Sequence, residues 1–236
     1  CHSHTLFSHD GKGTPEENCI TAGKLGLTGF AVTDHLDVEY ASDSLVFDRI
    51  SESFRETKRC QEKYKDSLIV SCGVEIGEAI YDSAFAKRVI DSFGWDMILG
   101  SVHAVRIKNL DMPFSIIDFR NFTDDEIHRY ITQYFSDMNE MLDTQDLDVL
   151  CHLTVVLRYI VYKYKKNVDI SLYYPVITEI LQKVIKRDIA LEINTSGIKD
   201  GYLMPDKDIL RLYKSLGGKR LTIGSDSHSP ENLTNG

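Results

Sequence analysis

Six of the eight histidines, His2, His4, His35, His103, His152 and His228, fall at or just past the C-terminal ends of short, apolar, β-branched runs, and so do Glu75 and Asp226. Imidazole and carboxylate are the donors that first-row divalent cations take. Such ions support ester hydrolysis by acidifying a water and neutralising charge on the reacting oxygens. Singly, each motif has an ordinary reading. His2-x-His4 places two rings on one face of a strand, because side chains alternate with period two. Thr33-Asp34-His35 is compatible with a hydrogen-bonded turn, and His103 and His152 with core histidines satisfied by a backbone carbonyl. Glu75 differs, since it ends a buried run where an unpaired carboxylate is costly. Gly224-Ser225-Asp226-Ser227-His228 adds an acid-x-His pair after the last run. Recurrence at seven successive strand ends decides the matter in favour of a multinuclear metal site. His128, inside a helical stretch, reads as a surface residue, and Cys72 and Cys151 as small buried hydrophobes.

The elements that must position these groups alternate regularly. Strands are expected at 2–4, 28–33, 67–74, 95–102, 147–151, 189–194 and 220–224, with helices at 14–25, 47–65, 82–93, 123–142, 172–187 and 206–216. Thr14-Pro15-Glu16-Glu17 and Thr123-Asp124-Asp125-Glu126 both carry capping-box signatures. The stretch 155–164 is ambiguous between strand and helix, and 104–121 carries no pattern and is long for a connector. Strands separated by crossover helices imply a parallel sheet. Active sites on such sheets assemble at the C-terminal strand ends, where the histidines lie. No repeat or linker divides the sequence, so one domain spanning 1–236 is expected.

Composition excludes several classes. The 236 residues are 42% hydrophobic and 27% charged with a net charge of −9, which argues against a nucleic-acid surface. No apolar run approaches the roughly 20 residues of a membrane span, and Cys1-His2-Ser3-His4 has no secretory character. Five cysteines without a CxxC pair suggest a reducing cytoplasm. Neither a phosphate-binding glycine loop nor a GxSxG elbow is present.

His2-x-His4-Thr5 with Asp10, Thr33-Asp34-His35, Gly73-x-Glu75, Gly100-Ser101-x-His103, His152 and Ser225-Asp226-x-His228 together resemble the PHP (polymerase and histidinol phosphatase) superfamily, in order and over nearly the whole chain. The run Leu191-Glu192-Ile193-Asn194-Thr195-Ser196-Gly197 is similar to the histidinol-phosphatase branch. Two features depart from the family pattern. Cys1 stands where an acid usually precedes the first histidine, and the sequence stops soon after Ser229-Pro230, where relatives commonly continue, so a tail is expected to be missing.

The resemblance implies an α/β fold, a distorted (β/α)7 barrel, and three divalent ions (zinc, iron or manganese). The first would take His2, His4, Glu75 and Asp226; Glu75 would bridge to a second held by His103 and His152. The third would take Asp10, His35 and His228, with His9 as the alternative to Asp10. Glu75, Asp226 and His228 are the expected catalytic residues. The implied activity is hydrolysis of L-histidinol phosphate in histidine biosynthesis. Its rivals are action on another small phosphate ester or short nucleotide, and a PHP module without catalysis. A phosphate dianion also needs cations outside the cluster. Arg158, six residues past His152, and Lys199, just past the Asn-Thr-Ser-Gly run, are the candidates, with Arg106 a more distant one.

Overall fold

A computed structural model of the chain describes residues 1–38 and 43–235. Among these residues, six strands form one sheet: β1 (Gly29–Asp37), β2 (Ile69–Gly77), β3 (Met97–Ser101), β4 (Val149–Leu150), β5 (Ala190–Asn194) and β6 (Leu221–Gly224). They lie in sequence order, each parallel to its neighbours. The crossovers carry α1 (Pro15–Lys24), α2 (Asp43–Tyr64), α3 (Ser83–Ser92), α4 (Asp124–Thr144), α5 (Val155–Leu157), α6 (Tyr174–Lys186) and α7 (Lys207–Ser215). Both expected capping boxes are made, Thr14 with Glu17 on α1 and Thr123 with Glu126 on α4.

The expected seventh strand, 2–4, is reduced to one bridge, Ser3 with Ser227, because three residues leave little backbone to pair. That short segment nevertheless touches both edges of the sheet. Ser3 O accepts from Thr33 N of β1 at 2.8 Å, while His4 N donates to Ser227 O at 2.7 Å and Asp226 N to His2 O at 2.9 Å, just past β6. One segment can reach β1 and the end of β6 only if the sheet curls, which is the distorted barrel expected.

β1 runs four residues further than its apolar stretch, so Thr33, Asp34, His35 and Asp37 are buried strand residues. Its register carries the pairing on, with His35 opposite Glu75 and Asp37 opposite Gly77. Alternation puts His35 and Asp37 on one face and Asp34 on the other. Asp34 therefore serves the scaffold, accepting from Thr5 Oγ1 (2.7 Å), Ser8 Oγ (2.7 Å) and Ser53 Oγ of α2 (2.6 Å).

The largest apolar cluster packs α4 and α6 against the far strands through Tyr130, Tyr134, Phe135, Ile177 and Leu181. The ambiguous stretch resolves into α5 continuing as a π-helix, Arg158–Lys163. The wider turn changes the facing of successive side chains, a device common at functional sites. The patternless 104–121 is a loop ending in a short 3₁₀ turn, Phe119–Asn121, and is tied down where Phe114 N donates to His103 O at 2.9 Å.

Candidate active site

His2 and His4 flank Ser3, so both rings point to the inside of the curled sheet, where β2 and the segment after β6 deliver Glu75 and Asp226. Four atoms converge. His2 Nε2 lies 3.0 Å from His4 Nε2, 3.4 Å from Glu75 Oε2 and 3.6 Å from Asp226 Oδ1. His4 Nε2 lies 3.5 Å from the same Glu75 oxygen and 3.3 Å from the same Asp226 oxygen. A tetrahedral ion with bonds of about 2.0–2.1 Å has donor–donor edges of roughly 3.3–3.4 Å, so the spacings of each carboxylate to the two imidazoles are those of metal donors, and His2, His4 and Glu75 lie close enough together to hold one cation. Glu75 Oε2 also lies 2.9 Å from His35 Nδ1, yet neither atom has a hydrogen-bond partner, and both are buried. A buried carboxylate oxygen without a hydrogen bond is costly, and a cation held by Glu75 Oε2 removes that cost.

The other Glu75 oxygen faces a second group: Oε1 is 2.9 Å from His152 Nε2 and 3.5 Å from His103 Nε2. A third group forms where Asp10 reaches His228 Nε2 at 3.3 Å and His35 Nε2 at 3.7 Å. The structure thus brings together the sequence-predicted donors His2, His4, Asp10, His35, Glu75, His103, His152, Asp226 and His228. His9 is exposed and turns instead toward Asp37, with Nδ1 3.6 Å from Asp37 Oδ2.

Electrostatics match the donor roles. Burial would raise the Glu75 carboxyl, but His2, His35 and His103 outweigh it and hold the group well below the usual range. Asp226 is likewise lowered against its burial by His2, His4 and His228. Burial disfavours charge on His2, yet Glu192, Glu75 and Asp226 raise it well above the ordinary value. The same contest, with Asp37 and Glu75 winning over burial, lifts His35 to about 9. His4 goes the other way, lowered by burial and by the neighbouring His35 and His228. In the metal-free protein the anionic carboxylates therefore hold protons on facing imidazoles, and a cation competes with those protons for the same lone pairs.

Residues behind the donors orient them, and sequence reasoning missed their role. Glu192, 1% exposed in β5, takes His2 Nδ1 on Oε1 at 2.7 Å and accepts from His152 N on Oε2 at 2.8 Å. Its signal was a carboxylate in the middle of an apolar run. Ser8 Oγ holds His4 Nδ1 at 3.0 Å and is itself held by Asp34. Asp37 Oδ1 lies 3.3 Å from His103 Nδ1. Gly77 and Gly224 leave room for these acids: a Cβ at 77 would meet Asp37 Oδ1 at 2.3 Å, and one at 224 would meet Glu192 Oε1 at 1.9 Å.

Carboxylates that grip the outer nitrogen of a ligating histidine are worth about 10- to 100-fold in metal affinity. Glu192→Gln is expected to cost that much. An amide offering its N–H₂ to His2 Nδ1 forces the proton onto Nε2, while the flipped amide sets its N–H₂ against His152 N–H. Gly224→Ala should give the same loss by displacing the carboxylate. Competition with a chromophoric chelator measures both, and wild-type affinity in the two variants would refute the role.

Six of the nine donors, Asp10, His35, His103, His152, Asp226 and His228, line a cavity of about 480 Å³, while His2, His4 and Glu75 are buried beneath it. His9, Asp10, Asp37 and His228 line one part, and Pro113, Phe114, Ile116, Val155 and Tyr159 form an apolar wall. Arg158 is on the rim, half-buried, with one contact at 3.5 Å to Ser196 Oγ. Arg49 of α2 also lines it, unanticipated from sequence. Lys199 is not in the lining: it is exposed on the 3₁₀ turn Ile198–Asp200, and its Nζ donates to Asn235 Oδ1 at 2.6 Å. Arg106 is drawn away by Asp137, at 2.9 Å, and by Glu140.

The PHP domain family matches residues 1–196. A probable histidinol-phosphatase of Clostridium acetobutylicum is 32% identical over 98% of this chain and 87% of its own length. A probable histidinol-phosphatase of Thermotoga maritima is 30% identical over 100% and 86%. The crystal structure of histidinol phosphate phosphatase from Lactococcus lactis subsp. lactis, complexed with zinc, L-histidinol and phosphate, superposes with a TM-score of 0.77 at 27% identity, covering 97% of this chain and 85% of that one. With a family match over most of its length and such relatives, the chain belongs to the PHP domain family.

Proposed function

We propose that this chain is a metal-dependent phosphomonoesterase that hydrolyses L-histidinol phosphate to L-histidinol and inorganic phosphate in histidine biosynthesis. The carrying observation is the buried group of His2, His4, Glu75 and Asp226, with ion-sized spacings, which meets through Asp226 a cavity that Arg158 also lines. Relatives called histidinol-phosphatases, one crystallised with zinc, L-histidinol and phosphate, support the choice of substrate. Residues 1–236 act as one catalytic unit, because the N-terminal ligands and those after β6 serve the same cage. No helix among the described residues is long and apolar enough to cross a membrane, and the four buried free thiols suit a reducing cytoplasm.

A first ion would be held by His2, His4, Glu75 and Asp226, a second by Glu75, His103 and His152, and a third by Asp10, His35 and His228; zinc, iron and manganese suit these donors. When bound, the ions supply Lewis acidity, lowering the pKa of a water and offsetting charge on the phosphoryl oxygens. The chain supplies the rest. Glu75 offers one oxygen to each of two groups and so fixes their separation. Arg158 presents a planar fork to two phosphoryl oxygens at the rim. Phe114 and Tyr159, with ring centroids 5.1 Å apart, form an apolar face against which a flat imidazole packs and from which water is excluded.

The test is phosphate release from a panel of monoesters by metal-loaded protein. Histidinol phosphate is expected to give the highest kcat/KM. A higher value for a sugar phosphate or a nucleotide would move the substrate within the family, and no turnover of any ester by fully loaded protein would mark a binding module.

A further inference from the structure

Arg49 sits in the second turn of α2, half-buried, and lines the same cavity as His9, Asp37, His103 and Phe114. Among the described residues its buried Nε has no hydrogen-bond partner, and no carboxylate lies within ion-pair distance of its guanidinium. Other arginines are placed differently: Arg59, Arg106, Arg120 and Arg220 each rest on an acid. Arg49 and Arg158 share a setting: both line the cavity, and among the described residues neither is ion-paired with a carboxylate. A partly desolvated guanidinium without a counter-charge is unfavourable, and divalent ions bound nearby would repel it further. An anion in the cavity reverses both costs.

The two arginines come from different walls. α2 follows β1, whereas Arg158 follows β4, and β2 and β3 stand between those strands in the sheet. We infer that Arg49 is a second anion-binding residue of the cavity, holding the phosphoryl group from the side opposite Arg158. This rests on the phosphatase reading for its substrate but not for its ligand chemistry, since inorganic phosphate carries the same oxygens.

Inorganic phosphate is therefore the probe, titrated calorimetrically into metal-loaded protein and assayed as a competitive inhibitor. Arg49→Ala should weaken phosphate binding about 10- to 100-fold, the range of a charge-assisted hydrogen bond, with metal content unchanged. KM should rise more than kcat falls. Arg49→Lys should recover part of the affinity. Arg49→Met keeps the aliphatic stem, so if the alanine variant fails to fold, Arg49→Met should show the same phosphate defect. Phosphate affinity within two-fold of wild type in folded, metal-loaded variants would overturn the inference, and so would a wild-type enzyme that does not bind phosphate. Loss of turnover with unchanged phosphate affinity would overturn it too, because Arg49 would then touch the organic part. If wild type binds phosphate through Arg49 yet leaves histidinol phosphate intact, the substrate reading falls and the anion site stands.

Discussion

Glu75→Gln should deplete two metal positions with a single isosteric change. Glu75 is fully buried and faces two donor groups with separate oxygens, Oε2 toward His2, His4 and His35 and Oε1 toward His103 and His152. The amide keeps the shape but loses the charge, and its N–H₂ must point at one of these groups, where lone pairs are needed for metal. Leaving a buried charge cluster without its partner costs about 3–5 kcal/mol, or roughly 200- to 4,000-fold if expressed in turnover. Metal analysis of the purified variant should show less metal per chain than wild type, together with the fall in kcat. Full occupancy with near-normal kcat/KM would show that Glu75 does not bridge. A fall in kcat at full occupancy would place Glu75 in the chemistry rather than in assembling the site.

The donors were legible because strand ends and histidines coincide, and both follow from local pattern. What lay behind them was not. β1 reads as ending at Thr33 because Asp34, His35 and Asp37 are polar, yet the strand continues, with Asp34 held by the Thr5, Ser8 and Ser53 hydroxyls on one face and Asp37 facing His103 on the other. Strand pairing beyond an apolar run depends on partners far away in sequence, which no local period reports. Asp37 was missed for that reason, although the His35-x-Asp37 spacing places both on one face. Glu192 was read only as part of a family run; its burial between His2 and the His152 backbone comes from the curl that brings β5 and the N-terminus together. Lys199 shows the reverse failure. It is near the site in sequence, but the left-handed Gly201 closes a 3₁₀ turn that leaves its side chain exposed. Arg49 gave no local signal, being one of many charged residues along a long helix.

Arg158, by contrast, was anticipated from its distance past His152, and the structure puts it on the cavity rim. Arg158→Ala should retain the metals, since a guanidinium is no ligand, and lose about 2–4 kcal/mol in kcat/KM, roughly 30- to 1,000-fold. The π-helix makes the position specific: the side chain leaves the widened turn at Arg158–Lys163, and among the described residues its one hydrogen-bond partner is Ser196 Oγ, at 3.5 Å. Arg158→Lys should recover only part of the loss, because an ammonium cannot match two phosphoryl oxygens with a planar fork. Lys199→Ala is the internal control, because Lys199 is engaged by Asn235 outside the cavity lining and its loss should leave kcat/KM within about two-fold, as for most exposed substitutions. If Arg158→Ala is as silent as Lys199→Ala at equal metal content, Arg158 is a solvated rim residue and the phosphoryl group is held from elsewhere in the cavity. If both arginine variants lose activity together with metal, the segment after β4 acts by holding His152 in place rather than by touching substrate. Steady-state kinetics and metal content measured on the same preparations separate these outcomes.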